Sequence, residues 1–175
     1  MAALSGSLRK KLSRIELFLM DVDGTMTDGS MWSHDDGTES KRFDVKDGMG
    51  IVQLRLAGIP TGIVTARISK AVAFRAKDLK MPIVIQGIHN KAGALDILRK
   101  KKVNVAAKNI AYIGDEINDI PLMKLVGFSA APADAMPEVR KVADYVCTAK
   151  GGHGAVREIC DFILQSKNLK PKFSV

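Results

Sequence analysis

Short apolar runs alternate with amphipathic segments along almost the whole chain, and this alternation limits the possible folds more than any other feature. The apolar runs predict buried strands at 15–20, 59–64, 82–85, 110–113, 128–131 and 145–147. The amphipathic segments predict helices at 47–56, 69–80, 91–101, 120–125 and 155–165. Repeated strand–helix alternation favours an α/β fold, a Rossmann-like parallel sheet with helices on both faces.

Residues 29–43 interrupt this alternation. They hold Asp36-Gly37 between two strand-like pieces, a pattern typical of a β-hairpin. One interpretation is a plain surface hairpin. The other is a small flap over a binding site or an oligomer contact, because Met31 and Trp32 would otherwise be exposed. The chain shows no second domain.

Length, charge and cysteine content exclude several classes of protein. The 175 residues suit one domain, 1–175, whose ends at 1–8 and 168–175 are expected to be loosely ordered. The net charge is +8, but the basic residues are spread along predicted helix faces and aromatic residues are only 5%, so no nucleic-acid partner is predicted. No apolar run reaches the roughly 18 residues of a membrane span. Cys147 and Cys160 form no close metal-binding pair, which favours reduced thiols in the cytoplasm.

Acidic side chains follow two of the predicted strands at the points where those strands end. They are Asp21 and Asp23 after the first strand, and Asp115, Glu116 and Asp119 after the fourth. The carboxyl ends of parallel strands share one edge, where open α/β sheets bind ligands. Asp21 and Asp23 point to one side if the strand continues, and are aimed separately if it ends at Asp21. In either case two crowded carboxylates need a cation or a shared proton.

Groups that bind anions stand after other strands. The hydroxyl of Thr65 can bond a phosphate oxygen, and Arg67 can bind a carboxylate or phosphate through two hydrogen bonds. Lys91 opens a predicted helix, where a cation opposes the helix dipole, so a separate reason for its presence is worth seeking. Each feature alone is common on protein surfaces, but their order along the chain favours phosphate chemistry at one sheet edge.

This ordered set resembles the four motifs of the haloacid dehalogenase superfamily of phosphotransferases. The motifs match residues 21–25, Thr65, Lys91 and 114–119. A closer likeness, from about 15 to 164, is to the 3-deoxy-D-manno-octulosonate 8-phosphate phosphatases and their nonulosonate 9-phosphate relatives. The resembling stretches are 28–29, 43–48, 75–76, 86–87, 111–115, 132–135, 143–146 and 151–158.

Two positions depart from the pattern of these relatives. Ala66 stands where the family usually has glycine, and Glu116 stands where it often has aspartate. Neither change removes a catalytic group, but both leave the identity of the substrate open.

The resemblance implies a phosphatase that forms a covalent phospho-enzyme. Asp21 would attack phosphorus and hold an aspartyl-phosphate, and Asp23 would serve as general acid and then general base. Thr65 and Lys91 would bind the transferring oxygens, where charge spreads in the transition state.

The resemblance also implies Mg²⁺ as cofactor. Its expected ligands are Asp21, the main-chain carbonyl of Asp23, and Asp115. Asn118 and Asp119 would surround them and orient the ligands or the catalytic lysine.

Substrate recognition is likewise implied by the relatives. The expected residues are Asp23, Asp44, Val45, Lys46, Asp47, Gly48, Arg67, Arg75 and Lys91. A sugar acid carries a carboxylate as well as a phosphate, and two arginines suit such a double anion. A solvated helix charge is the alternative for Arg75.

The chain has no large cap domain, and the resemblance implies that such short members close the site with neighbouring subunits, so a homotetramer is expected. The hairpin and residues 151–154 would contribute to the contacts and the lid. The plain alternative for 151–154 is a glycine-rich turn before the last helix.

The predicted function is Mg²⁺-dependent hydrolysis of a phosphorylated sugar acid, 3-deoxy-D-manno-octulosonate 8-phosphate, in the cytoplasm. A nonulosonate 9-phosphate phosphatase is the first alternative. A non-catalytic tetramerisation domain of this fold is the second, although such domains tend to lack the acids that this chain retains. A nucleic-acid 3′-phosphatase rests on charge alone.

Overall fold

The computed structural model describes residues 5–170. The strands in this range are β1 (Leu17–Met20), β2 (Trp32–Ser33), β3 (Glu39–Ser40), β4 (Thr61–Val64), β5 (Ile83–Ile85), β6 (Ile110–Ile113), β7 (Phe128–Ala131) and β8 (Tyr145–Val146). The α-helices are α1 (Gly6–Leu12), α2 (Val45–Leu56), α3 (Lys70–Asp78), α4 (Ala94–Lys100), α5 (Ile120–Met123), α6 (Pro137–Val142) and α7 (Ala155–Ser166). Short 3₁₀ turns at Lys91–Gly93, Ala107–Asn109 and Ile117–Asp119 precede α4, β6 and α5. Among these helices none has the length and apolarity that crossing a membrane would require.

Six strands form one parallel sheet in the order β5-β4-β1-β6-β7-β8. β1 is central, and its Met20 lies opposite Ile63 of β4 on one side and Ile113 of β6 on the other. The strand order therefore reverses beside β1. In open α/β sheets, ligands bind at the carboxyl ends of strands at such a reversal.

Two apolar cores lie on opposite faces of the sheet because successive side chains of a strand alternate between faces. Phe18 and Met20 belong to the core closed by α1, α2, α3 and α7. Leu17 and Leu19 belong to the core closed by α4, α5 and α6. The predicted parallel sheet with helices on both faces is therefore confirmed.

The ends of the chain are better ordered than expected where the structure describes them. The expectation of a loose segment at 1–8 is wrong for residues 6–8, because α1 begins at Gly6. Ser5 caps α1 by accepting a hydrogen bond from the Leu8 main-chain N–H at 3.4 Å, and Leu12 is fully buried. Near the other end, Arg9 Nη2 donates to Asn168 Oδ1 at 2.9 Å. The expected loose segments at 1–4 and 171–175 lie outside the described residues.

Helices α1 and α6 were not predicted from the sequence, and α6 has no visible period. It has six residues, and only Val139 among them is buried, so no amphipathic repeat is visible. The strands and helices that the sequence predicts are all present, with shifted ends. The predicted helix at 91–101 is divided into a 3₁₀ turn and α4.

The predicted hairpin is confirmed. β2 and β3 pair antiparallel, with Trp32 opposite Ser40 and Ser33 opposite Glu39. Asp36 Oδ1 accepts a hydrogen bond from the Thr38 main-chain N–H at 2.9 Å in the turn. Trp32 is 62% exposed, so the plain surface hairpin and the flap or oligomer contact both stay open.

Glu158 of α7 holds the loop that follows β8. Its carboxylate accepts hydrogen bonds from Tyr145 Oη at 2.6 Å, from Thr148 N and Oγ1 at 3.0 and 2.9 Å, and from Ala149 N at 3.1 Å. Burial alone would raise the pKa of this carboxyl group, but the hydrogen bonds outweigh it and leave the pKa below its usual value.

We expect Glu158→Gln to lower the free energy of unfolding by about 1–2 kcal/mol at neutral pH, because the amide cannot accept these hydrogen bonds equally well. Since the folded pKa is depressed, the glutamate contributes its full stability above its unfolded pKa and loses it as pH falls through the folded pKa. Urea unfolding at neutral pH and near pH 3 measures this. The matched control is Glu138→Gln on the exposed face of α6. A difference between Glu158→Gln and wild type that stays the same at both pH values would contradict the prediction.

Candidate active site

The loops after β1, β4 and β6 meet the turn before α4 at the carboxyl edge of the sheet. Asp21 follows β1, is buried, and donates its main-chain N–H to Ile113 O of β6 at 3.0 Å. Thr65 follows β4, is buried, and donates its main-chain N–H to Ile85 O of β5 at 2.9 Å. Main-chain bonds to neighbouring strands therefore fix both residues at this edge.

Lys91 is buried between two carboxylates. Its Nζ lies 2.7 Å from Asp21 Oδ1 and 2.5 Å from Asp119 Oδ1. Burial by itself would lower the pKa of Lys91, but the two carboxylates raise it overall, so the ammonium stays charged. These partners supply the reason for a cation at the start of this helical segment.

Asp119 is fully buried and organises the loop after β6. Besides Lys91, it accepts hydrogen bonds from Tyr112 Oη at 2.5 Å and from the main-chain N–H groups of Asp115 and Glu116, both at 3.0 Å. A Cβ on Gly114 would lie 2.4 Å from Asp119 Cγ, so a side chain there would displace the carboxylate. The structure thus places Asp119 where it orients both the lysine and the acidic loop.

Asp115 lies against the loop that follows Asp21. Its Oδ1 accepts a hydrogen bond from Thr25 Oγ1 at 2.8 Å. A Cβ on Gly24 would lie 2.1 Å from Asp115 Oδ2, and Gly24 has φ +87°, so two independent reasons require glycine at this position. The missing side chain lets the two acidic loops approach each other.

The carboxylates of Asp21, Asp115 and Asp119 have oxygens within 4.8 Å of one another. Burial raises the pKa of Asp21 to about 8, although Lys91 opposes the shift and Asp119 adds to it. Burial also raises the pKa of Asp115 to about 6. Three carboxylates facing one ammonium leave the cluster short of positive charge.

Mg²⁺ fits this cluster, because it prefers oxygen ligands and needs few of them from the protein. The oxygens of Asp119 already accept hydrogen bonds from Lys91, Tyr112 and two main-chain N–H groups. Asp21 and Asp115 are therefore the side chains suited to hold the ion.

The side chain of Asp23 contacts other cations than Lys91, the cation that contacts Asp21. Its Oδ1 forms an ion pair with Lys41 Nζ, just after β3, and its Oδ2 lies 3.8 Å from Arg67 Nε. Arg67 Nη2 donates to Glu39 Oε2 of β3 at 3.1 Å. β1 ends at Met20, so of the two arrangements considered from the sequence, the separate aiming of Asp21 and Asp23 is the one observed.

The predicted substrate segment Asp44–Gly48 opens α2. Asp44 caps the helix by accepting from Lys46 N and Asp47 N at 2.6 and 3.1 Å. The carboxylate of Asp47 accepts from Arg157 N at 2.7 Å and Gly154 N at 3.4 Å, which ties α2 to α7. Burial raises the pKa of Asp47 to about 6. Val45 is exposed.

Arg75, in the last turn of α3, lies beside this segment. Its Nη1 is 2.8 Å from Asp78 Oδ2, its Cζ is 5.8 Å from the centre of the Phe43 ring, and its Nη2 would lie 2.4 Å from a Cβ on Gly48. Between residues 5 and 170, no hydrogen bond or ion pair joins Asp44–Gly48 or Arg75 to the clustered carboxylates or to Lys91. Their part in substrate binding stays a prediction.

Three predicted positions remain to be placed, at residues 66, 116 and 118. The buried Oδ1 of Asn118 has no hydrogen-bond partner among the described residues. The carboxylate of Glu116 accepts from Ile117 N at 2.7 Å and caps the 3₁₀ turn, and the Glu116 main-chain N–H donates to Asp119 Oδ2 at 3.0 Å. Ala66 is half-buried beside Thr65.

Sequence reasoning missed several polar side chains around the site. Thr25 lies inside the first motif but was given no role, and Tyr112 carries a hydroxyl on an apolar strand, which itself indicates a buried partner. Nothing in the local sequence indicates that Lys41 and Glu39 contact the loops after β1 and β4, because the fold of the hairpin over the sheet edge brings them there.

A cavity of about 530 Å³ opens beside Arg67, between the hairpin and the loop after β4. This volume is within the range of small-molecule sites. Its lining residues are Ser33, Gly37, Thr38, Glu39, Arg67, Ile68, Ser69 and Lys70. The lining offers hydroxyl groups and two cations, of which Arg67 lies 3.8 Å from Asp23 Oδ2.

Comparison with known proteins gives one consistent family. A model of haloacid dehalogenase-like hydrolases matches residues 77–159. The chain is 40% identical over 161 residues to the 3-deoxy-D-manno-octulosonate 8-phosphate phosphatase KdsC of Escherichia coli (strain K12), which covers 92% of this chain and 85% of that protein. It is also 40% identical over 159 residues to KdsC of Yersinia pestis, covering 91% of this chain and 84% of that protein.

Solved structures agree with the sequence comparison. The 3-deoxy-D-manno-octulosonate 8-phosphate phosphatase from Moraxella catarrhalis, in complex with a magnesium ion, a phosphate ion and a KDO molecule, matches with a TM-score of 0.90 and 39% identity, over 94% of each chain. The cobalt-bound deoxy-D-mannose-octulosonate 8-phosphate phosphatase from Haemophilus influenzae matches with a TM-score of 0.86 and 37% identity, over 90% of this chain and 92% of that chain.

Proposed function

The chain belongs to the 3-deoxy-D-manno-octulosonate 8-phosphate phosphatase family of haloacid dehalogenase-like hydrolases, and on this basis we propose that it hydrolyses that sugar-acid phosphate in a Mg²⁺-dependent reaction. The observation that carries the proposal is the buried cluster in which Lys91 joins Asp21 to Asp119, with Asp115 beside them. A phosphatase needs such a concentration of charged side chains at one sheet edge, whereas a non-catalytic tetramerisation domain does not.

Asp21 is the proposed nucleophile. One of its carboxylate oxygens forms a bond to phosphorus while the bond from phosphorus to the sugar oxygen breaks, and the sugar oxygen takes that electron pair together with a proton from Asp23. A water oxygen then bonds to phosphorus, its proton passes to Asp23, and the bond between Asp21 and phosphorus breaks with the electron pair returning to the carboxylate. The ion pairs of Asp23 with cations other than Lys91 support separate roles for the two aspartates.

Lys91 and Thr65 bind the transferring phosphoryl oxygens in this proposal. The ammonium of Lys91 is already fixed beside the nucleophile, so it needs little rearrangement as charge develops. Asp21, Asp115 and the main-chain carbonyl of Asp23 would hold Mg²⁺, which when bound reduces the repulsion between an anionic carboxylate and an anionic phosphate.

The leaving sugar acid would occupy the cavity beside Arg67. The volume, the hydroxyl groups of Ser33 and Thr38, and the cations of Arg67 and Lys70 suit a polyhydroxylated carboxylate. The Moraxella relative, which holds magnesium, phosphate and KDO together, supports the same substrate class for this chain.

We also infer a homotetramer acting in the cytoplasm. Large apolar side chains are exposed around α2, α3 and the hairpin, including Trp32, Val45, Ile68 and Phe74, and subunit contacts would cover them. The buried, unpaired thiols of Cys147 and Cys160 suit a reducing compartment.

The test is phosphate release from a panel of phosphorylated sugars and sugar acids that includes the eight-carbon and nine-carbon keto-deoxy acid phosphates. We expect the eight-carbon substrate to be preferred in kcat/KM by at least about 10-fold. Excess chelator should abolish turnover, and added Mg²⁺ should restore it. Turnover that persists in chelator would contradict the metal role, and preference for the nine-carbon compound would replace the proposed substrate.

A further inference from the structure

The hairpin places a buried cation on the proposed acid–base residue. The side chain of Lys41 is 0% exposed, the exposure of the residue coming from its main chain, and its Nζ forms an ion pair with Asp23 Oδ1. A buried ammonium is costly unless it is paired. A hairpin that served only as a surface connection would not need a cation at this position.

Lys41 is part of a series of four alternating charges that connects the hairpin to the site. Glu39 and Lys41 are two residues apart, so their side chains lie on the same side of an extended strand. Glu39 Oε2 accepts a hydrogen bond from Arg67 Nη2 at 3.1 Å, and Arg67 Nε lies 3.8 Å from Asp23 Oδ2. One segment of the hairpin thus reaches Asp23 directly through Lys41 and indirectly through Arg67.

The contacts on Asp23 differ in exposure and in strength. Arg67 is 48% exposed and its Nε is at the outer limit of an ion pair, whereas Lys41 is buried and in direct contact. A carboxylate held on one oxygen by a buried partner keeps the other oxygen in a restricted range of orientations. Proton transfer depends on such orientation, since a general acid must lie within hydrogen-bond reach of the oxygen that it protonates.

We propose that Lys41 is a positioning residue that holds the Asp23 carboxylate in place for proton transfer to the leaving oxygen. The inference rests on the proposed phosphatase function. This role differs from a purely structural one in its effect on kcat. Loss of Lys41 should lower kcat for a substrate whose leaving group requires a proton, and change kcat little for one whose leaving group does not.

Lys41→Met tests this with two substrates. A sugar-acid phosphate loses an alkoxide that needs a proton, whereas p-nitrophenyl phosphate loses a stable phenolate that does not. We expect kcat for the sugar-acid phosphate to fall by roughly 10- to 100-fold with KM changed by less than about 3-fold, and kcat for p-nitrophenyl phosphate to fall by less than about 3-fold. Lys41→Arg, which keeps a cation, should recover most of the loss. Arg42→Met, at the next residue with contacts to Asp28 and His153, is the matched control and should leave both activities unchanged.

A double variant separates action through Asp23 from any other action. In an Asp23→Asn background, Lys41→Met should cause no further loss on the sugar-acid phosphate, because the two changes remove the same step. Equal losses on both substrates, additive losses in the double variant, or no loss at all would overturn the proposal. If Lys41→Met does not fold, Lys41→Gln is judged by the same criteria. If the wild-type protein showed no turnover, the proposed phosphatase function would itself be overturned. The outcomes named above, with an active wild-type protein, would overturn only the role of Lys41.

Discussion

Asp21→Asn is expected to reduce turnover of every phosphate monoester by roughly 10⁴-fold or more, because the amide cannot form the bond to phosphorus. The change should not unfold the protein. Asp21 is one of three clustered carboxylates, and burial raises its pKa, so a neutral side chain of the same shape relieves charge repulsion while Lys91 keeps Asp119 as a partner.

Steady-state kinetics together with thermal unfolding of the same preparation test this prediction. Asp35→Asn, in the exposed turn of the hairpin, provides the matched control and should keep wild-type turnover. Substantial turnover by correctly folded Asp21→Asn would exclude Asp21 as the nucleophile.

Asp119→Ala should have the largest effect on stability, lowering the free energy of unfolding by roughly 3–5 kcal/mol. The change removes the shared acceptor of Lys91 Nζ and Tyr112 Oη, both buried, and of two main-chain N–H groups. Unpaired donors in a buried site carry their full desolvation cost. Activity should fall too, because the position of Lys91 depends on Asp119.

Urea unfolding of wild type and Asp119→Ala measures this loss. The comparison is Asp96→Ala in α4, whose carboxylate is 67% exposed and pairs with Arg99 at 2.9 Å. That surface pair should contribute no more than about 1 kcal/mol. If the two variants lost similar stability, the buried network would not be the support that its geometry indicates.

The part of the fold predicted from the sequence is the part that has a strong periodic signal. β1, β4 and β6 are apolar runs bounded by polar loops, and their parallel pairing follows from the intervening helices. Because parallel strands end at one edge, the sequence predicts that Asp21, Thr65 and Asp115 share a site. Lys91 opposes the dipole of the helical segment that it opens, and its two carboxylate partners explain the conflict.

What escaped prediction depends on contacts between distant segments. The role of Asp47 in joining α2 to α7 is invisible locally, since Arg157 is more than a hundred positions away. The contact of Lys41 with Asp23 requires the hairpin to fold back over the sheet edge, which no propensity encodes. α6 is too short to display a period, so only its packing defines it.

Mass spectrometry of rapidly quenched enzyme tests directly whether Asp21 accepts the phosphoryl group. Asp23→Asn should be used for trapping, because slower activation of water lets the covalent intermediate accumulate. We expect the peptide that contains Asp21 to gain one phosphoryl group after mixing with p-nitrophenyl phosphate and Mg²⁺, because the phenolate leaves without a proton from residue 23 and only the second step is slowed. Turnover with the phosphoryl group on another residue, or with none on Asp21 under these conditions, would contradict the account.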